Sequence, residues 1–317
     1  MKKYILTITS LLIAAIITAQ QSDGALKEKV MSITIRGTAI EGTLLSHSSK
    51  EKLVIIIAGS GPTDRNGNSI AGVECDAYKL LAEELAKNNI ASFRYDKRGI
   101  AKSVVQHFNE ADLSFDDYIN DAVAIYTYLQ DSVGFKNIYF AGHSEGSLIG
   151  MMAAQKTNAQ GYISIAGAGR PINTILAEQI GKQSAAAGAQ IDSLFNILRS
   201  KGKIDSVPRY FLSLLRPSIQ PYMLSWMKYD PATEIGKIKK PVLIIQGTCD
   251  IQVKITDAQN LSAGNKKATL LIAEGMTHVL KDADADCTDK DLKTYHDPSL
   301  PLDTKLVNEI IGFIRSN

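Results

Sequence analysis

Residues 53–58, Leu-Val-Ile-Ile-Ile-Ala, form an unbroken apolar run, which predicts a strand covered on both faces. Two alternating stretches precede it, residues 30–36 and 40–46, with Gly37 between them. That alternation predicts an antiparallel hairpin at a sheet edge. Further short apolar runs predict strands over residues 90–95, 138–141, 161–166, 241–246 and 268–273. Between them the period changes to that of helices. Residues 76–87, 114–130 and 148–155 read as helical. So do residues 301–315, with Leu302, Leu306, Ile310, Phe313 and Ile314 on one side. Ser114 is placed to cap its helix, with Asp116 and Asp117 in the first turn. Strand and helix alternate through short loops. The fold class expected is therefore α/β, a mostly parallel central sheet with helices on both faces.

One interruption breaks the alternation. From Gly169 to Lys240 no strand pattern occurs. Helical segments are expected near residues 173–187, 191–200, 209–215 and 218–228, punctuated by Pro208, Pro217, Pro221 and Pro231. Phe195, Tyr210, Phe211, Tyr222, Trp226 and Tyr229 cluster in this stretch. It reads as a helical cap, residues 170–236, inserted into a core domain made of residues 20–169 and 237–317. Some of its aromatics are expected simply to seat it on the core.

The N-terminus changes the picture next. Lys2 and Lys3 precede an apolar run, residues 5–18, that ends in small residues. This predicts a signal peptide over residues 1–19, cut after Ala19, and hence an exported protein, periplasmic or secreted. An uncleaved anchor is the competing reading; the run is short for a membrane span and holds several Thr and Ser residues. No stable membrane anchor is expected after cleavage. Removing residues 1–19 takes Lys+Arg from 35 to 33, equal to Asp+Glu at 33. A neutral chain without a basic block gives no support to nucleic-acid binding. Three cysteines, Cys75, Cys249 and Cys287, have no metal spacing. In an oxidising compartment Cys249 and Cys287 can bridge; free thiols packed as small hydrophobes are the equal alternative.

The candidate chemistry sits at Gly142-His143-Ser144-Glu145-Gly146, between a predicted strand and a predicted helix. In that context G-x-S-x-G marks a serine on a sharp turn, its hydroxyl pushed out at the C-terminal edge of a sheet. Both flanking glycines are required because their neighbours come too close for a side chain. The pentapeptide alone is also met as a glycine-rich turn without chemistry. What separates the two readings is whether an acid and a histidine follow, each past its own strand. Asp250 follows the strand at 241–246, and His278 follows the strand at 268–273. His296 lies in a polar, irregular stretch; His47, His107 and His143 precede the serine. Asp192, Asp205 and Asp230 do not follow strands, and Asp257 falls in the next helix. His278 would accept the Ser144 proton, and Asp250 would fix the imidazole tautomer. The oxyanion needs two donors. The backbone N–H of Glu145 is one; the other is expected from the turn after residue 58, with Ser60 favoured over Gly61. No cofactor is expected. Gly59-x-Gly61 lacks the third glycine of a dinucleotide loop, since Asp64 stands there, and Gly167-x-Gly169 has Ile172 at that place.

Together these motifs resemble the α/β-hydrolases over nearly the whole mature length. The elbow is residues 142–146, and Gly59-Ser60-Gly61-Pro62 is similar to the oxyanion loop. Asp96-Lys97-Arg98-Gly99-Ile100-Ala101-Lys102-Ser103 is similar to the family's D-x-R-G-x-G-x-S turn, with Ala101 in place of the second glycine. The loop from Gly59 to Gly67 resembles that of bacterial carboxylesterases of the serine-aminopeptidase-like branch. The resemblance implies hydrolysis of small carboxylic esters, with Asp96 and Arg98 holding loops together. Two rivals remain. An aminopeptidase on the same triad would want a carboxylate pair in the cap, where Glu178 and Glu234 are the glutamates present. A binding protein on a retired scaffold would have no need of an intact Ser, His and Asp.

Overall fold

The computed structural model describes residues 26–47, 49–104, 109–283, 287 and 292–317. The signal peptide expected over residues 1–19, and His107, lie outside the described residues.

The expected hairpin forms from β1 (Lys27–Ile35) and β2 (Thr38–Ser46), antiparallel, with Ile35 opposite Thr38. The chain then runs through β3 (Lys52–Ile57), α1 (Ala77–Lys87), β4 (Ala91–Tyr95), α2 (Phe115–Thr127), β5 (Asn137–His143), α3 (Glu145–Lys156) and β6 (Gly161–Ile165). Helices α4 (Ile172–Gln183), α5 (Ala185–Lys201), α6 (Leu212–Leu215), α7 (Gln220–Met227) and α8 (Pro231–Ile235) follow without a strand. β7 (Val242–Gly247), α9 (Ile255–Gly264), β8 (Thr269–Ala273), α10 (Leu292–His296) and α11 (Thr304–Ser316) complete the described chain. The periodicity of the sequence does not signal α8, which starts at Pro231, nor α10. Pro231 occupies the first helical position, where its missing N–H costs nothing, and Asp230 caps it by accepting from the Ala232 N–H.

Eight strands form one sheet in the order β1-β2-β4-β3-β5-β6-β7-β8, parallel from β4 through β8. Each central strand divides its side chains between two cores. Leu53, Ile55 and Ile57 join one cluster, and Val54 and Ile56 the other. The first cluster is covered by α2, α3 and α9 and continues into α5 through Phe195 and Leu198. The second is covered by α1 and α11, through Leu81, Leu85, Leu306 and Ile310. Burial on both faces is why these strands read as continuous apolar runs. The chain leaves β3 to one side for β4 and to the other for β5, so the crevice at their carboxyl ends is the switch point of the sheet.

The helices between β6 and β7 are fastened to α2 by aromatic stacking. The Phe115 ring lies over the Trp226 ring, centroids 5.3 Å apart and 7° from parallel. Tyr222 and Tyr229 lean on the same Phe115 ring at 6.1 and 5.8 Å. Ser225 Oγ accepts from the Phe115 N–H at 2.7 Å. Phe115 is fully buried. Replacing Phe115 with Ala is expected to cost about 3–5 kcal/mol of folding stability in urea unfolding. The emission of Trp226, the sole tryptophan, should shift to the red in the folded state as water reaches it.

Candidate active site

A single residue, Ser144, separates the end of β5 from the start of α3. Its backbone takes φ 53° and ψ −118°, a left-handed conformation that costs a residue with a side chain on the order of 1–3 kcal/mol. Close packing holds it there. A Cβ on Gly142 would lie 2.0 Å from the Gly146 carbonyl oxygen, and one on Gly146 would lie 2.3 Å from that of Ile57. Both flanking glycines are thus fixed by contact. The Ser144 N–H donates to the Ile165 carbonyl at 2.9 Å, so β6 also pins the turn. The N-terminus of α3, with its free N–H groups, begins beside the serine hydroxyl.

Asp250 and His278 come together from the loops after β7 and β8. His278 Nδ1 lies 2.8 Å from Asp250 Oδ2. Asp250 Oδ1 accepts from the N–H groups of Gln252 and Val253 at 2.8 and 2.9 Å, and Gln246 Nε2 donates to Oδ2 at 3.0 Å. Burial pushes the Asp250 carboxyl up. The adjacent His278 and the two backbone N–H groups outweigh it and hold the group below the usual aspartate range. A carboxylate there accepts the Nδ1–H, which leaves Nε2 with its lone pair. Cys249 and Cys287 form a disulfide, Cα atoms 5.2 Å apart, tying the Asp250 loop to the loop beyond His278. Cys75 is a buried free thiol.

Two buried polar connections escaped the sequence reading. The first runs through His143, the residue just before the serine. His143 Nε2 lies 2.8 Å from the His278 carbonyl oxygen, and Nδ1 lies 2.7 Å from the Tyr78 hydroxyl. A carbonyl only accepts, so Nε2 carries the proton and Nδ1 accepts from Tyr78. The Tyr78 oxygen in turn accepts from the Gly59 N–H at 3.1 Å. Burial, with the neighbouring His278 adding to it, pushes the His143 pKa down to about 3, so this ring stays neutral. The second runs through Lys97 and the side chain of Glu145. Lys97 Nζ donates to Glu145 Oε1 at 2.5 Å and to the Gly59 carbonyl at 2.6 Å. The Tyr222 hydroxyl donates to Glu145 Oε2 at 2.9 Å. A charged residue directly after the serine, in the first turn of a helix whose middle is apolar, is the available signal for Glu145.

The fold recurs in known proteins. The pattern of the family described as "Serine aminopeptidase, S33" matches residues 71–210. Esterase EstD of Thermotoga maritima is 25% identical over 253 residues, which cover 78% of this chain and 59% of that protein. The chain thus spans about three fifths of that relative's length. The structure of the Pyrococcus furiosus esterase Pf2001 is similar at a TM-score of 0.61, with 16% identity, over 92% of this chain and 91% of that one. Est1E of Butyrivibrio proteoclasticus, solved with ferulic acid bound, is similar at a TM-score of 0.58 and 20% identity, over 90% and 100%. The chain has the α/β-hydrolase fold.

A cavity of about 580 Å³ opens between the carboxyl ends of the strands and the helices before β7. Ser60, Gly61, Ser144 and Glu145 line its floor; Leu148, Ile172, Ile175, Tyr222, Met223 and Trp226 line its walls. Its volume falls within the range usual for small-molecule sites. Glu178 pairs with Arg170 and Lys254, and Glu234 with Lys237; neither carboxylate is among the cavity's lining residues. His296, expected in an irregular stretch, ends the short helix α10. Asp96 holds the N–H groups of Arg65 and Lys102 and so joins two loops, while Arg98 forks onto Asp121 at 2.6 and 2.9 Å and ties its loop to α2. Ala101 sits at φ 45°, a backbone conformation that favours glycine.

The depressed Asp250 carboxyl has a consequence for stability. A group whose folded pKa lies below its unfolded value stabilises the fold above that unfolded value, and loses the effect as pH falls through the folded one. Asp250→Asn is therefore expected to lower the urea midpoint at neutral pH. The gap from wild type should narrow as pH drops below about 3.9. A gap that stays constant with pH would contradict the depressed carboxyl.

Proposed function

We propose that this α/β-hydrolase cleaves small carboxylic esters through an acyl-enzyme on Ser144. The observation that carries the reading is the hydrogen-bonded His278–Asp250 pair at the same sheet edge as the left-handed Ser144 turn. His278 Nε2 takes the hydroxyl proton as Ser144 Oγ attacks the ester carbonyl, then returns it to the departing alkoxide. Asp250 orients the ring and stabilises its cation. The N–H groups of Glu145 and Ser60 receive the oxyanion. Water then enters, His278 accepts its proton, and the acid leaves as Ser144 recovers its own. Residues 170–236 act as the cap that bounds the acyl pocket, over a core of residues 20–169 and 237–317. The mostly apolar walls favour an uncharged acyl group.

The protein is further proposed to be exported, with residues 1–19 as the signal peptide. The Cys249–Cys287 disulfide supports an oxidising compartment. The aminopeptidase alternative is favoured by the name of the matching family. The cap carboxylates it would want, Glu178 and Glu234, do not line the cavity, and the glutamates that do, Glu110 and Glu145, are paired with Arg216 and Lys97. Initial rates on p-nitrophenyl esters of rising acyl length, beside aminoacyl anilides, test the assignment. Acetate and butyrate esters are expected to turn over and the palmitate ester and the anilides not to. Ser144→Ala should lose on the order of 10⁴-fold or more in kcat. Faster anilide cleavage than ester cleavage would reassign the protein to the peptidases. A folded wild type that neither turns over esters nor labels with a fluorophosphonate would leave only a binding role.

A further inference from the structure

We propose that Lys97 is a positioning residue that sets both donors of the oxyanion site, an inference that rests on the esterase reading of Ser144. The observation begins at Gly59, the residue before Ser60. Its N–H is held by the Tyr78 hydroxyl at 3.1 Å and its carbonyl by Lys97 Nζ at 2.6 Å. The Gly59 carbonyl and the Ser60 N–H belong to one peptide group. No peptide bond among the described residues is cis, so the two point in opposite directions. Turning the carbonyl toward Lys97 therefore turns the Ser60 N–H away from it. Gly59 itself lies against the nucleophile: a Cβ there would sit 3.3 Å from Ser144 Cβ. An ammonium on the carbonyl also polarises the amide, which strengthens its N–H as a donor.

The same ammonium reaches the other donor. Lys97 Nζ is 2.5 Å from Glu145 Oε1, and the Glu145 N–H is the second oxyanion group. One cation thus bridges the oxyanion loop after β3 and the first turn of α3. Its own position is over-determined. Lys97 and Glu145 side chains are 2% and 3% exposed, Nζ stands 5.0 Å from the centre of the Tyr118 ring, and Tyr222 holds the far Glu145 oxygen. Tyr222 belongs to α7, so the helices bounding the cavity share in the clamp. A buried ion pair is a poor source of stability, because desolvation offsets most of the attraction. A purely structural site would do as well with two apolar side chains, and that supplies the test.

Lys97→Met alone leaves Glu145 buried without its cation and is expected to unfold the protein in part. The double variant Lys97→Met/Glu145→Met removes both charges and should restore folding. We expect it to keep KM within about twofold while kcat falls roughly ten- to a hundredfold, less than the loss of a whole donor. Affinity for a trifluoromethyl ketone, whose adduct with Ser144 carries an oxyanion, should weaken by the same factor. Tyr222→Phe, which frees only one Glu145 oxygen, should give the same pattern at smaller size. The proposal is overturned if the folded double variant keeps kcat and ketone affinity at wild-type levels, or if KM alone rises. It is equally overturned if the double variant will not fold and Tyr222→Phe leaves kcat and ketone affinity unchanged. All rates are taken per active site titrated with a fluorophosphonate. A wild type that is inactive and unlabelled at Ser144 defeats the esterase reading itself; an active, labelled wild type with an unaffected double variant defeats only the role of Lys97.

Discussion

The left-handed turn at Ser144 constrains everything around it. A serine can occupy that conformation only if the chain before and after is squeezed into contact. The squeeze here is backbone on backbone: Gly142 against Gly146, and Gly146 against the end of β3. Such contacts exist only if β3 and β5 are neighbours in register, with Ile57 opposite Gly142. The neighbouring strand β6 adds the Ile165 carbonyl that takes the Ser144 N–H. Three strands and one helix thus share in holding a single residue off the common backbone conformations. The large two-sided core is what makes that conformation sustainable.

The position of the turn in the sheet matters as much as its shape. β3 and β5 flank the point where the chain switches direction across the sheet, and the loops there diverge to leave a crevice. Loops after β3, β4, β5, β7 and β8 supply Gly59, Lys97, Ser144, Asp250 and His278 in turn. Helices α4 to α8 leave the sheet at the end of β6 and return at β7, so they cross the same edge. Aromatic rings on α7, stacked on Phe115 of α2, fasten them there.

Buried polar groups then connect loops that the sheet only brings near each other. His143, kept neutral by burial, joins the His278 carbonyl to Tyr78 and through it to Gly59. Lys97 joins Gly59 to Glu145, and Glu145 reaches Tyr222. The two connections meet at Gly59, one at its N–H and one at its carbonyl. Every member has a hydrogen-bond partner, the condition under which a buried network adds rigidity. The disulfide between Cys249 and Cys287 acts on the far side, beside Asp250.

What was legible in the chain was what periodicity and local chemistry encode. The apolar runs marked the strands because both faces of the sheet are covered. G-x-S-x-G marked the elbow because a side chain at either glycine would strike backbone. Asp250 and His278 stood out as candidates because each follows just past a strand, and the structure hydrogen-bonds them to each other. The sequence left the pairing of Cys249 with Cys287 open, and it missed α8 and α10, whose few residues are too short to show a period. It gave no hint that Tyr78 would meet His143, or that Lys97, 48 residues before Glu145, would meet its side chain. Those contacts have no spacing to read. They exist because parallel strands bring the ends of distant segments to one edge, where burial forces each polar group to find whichever partner the fold sets beside it.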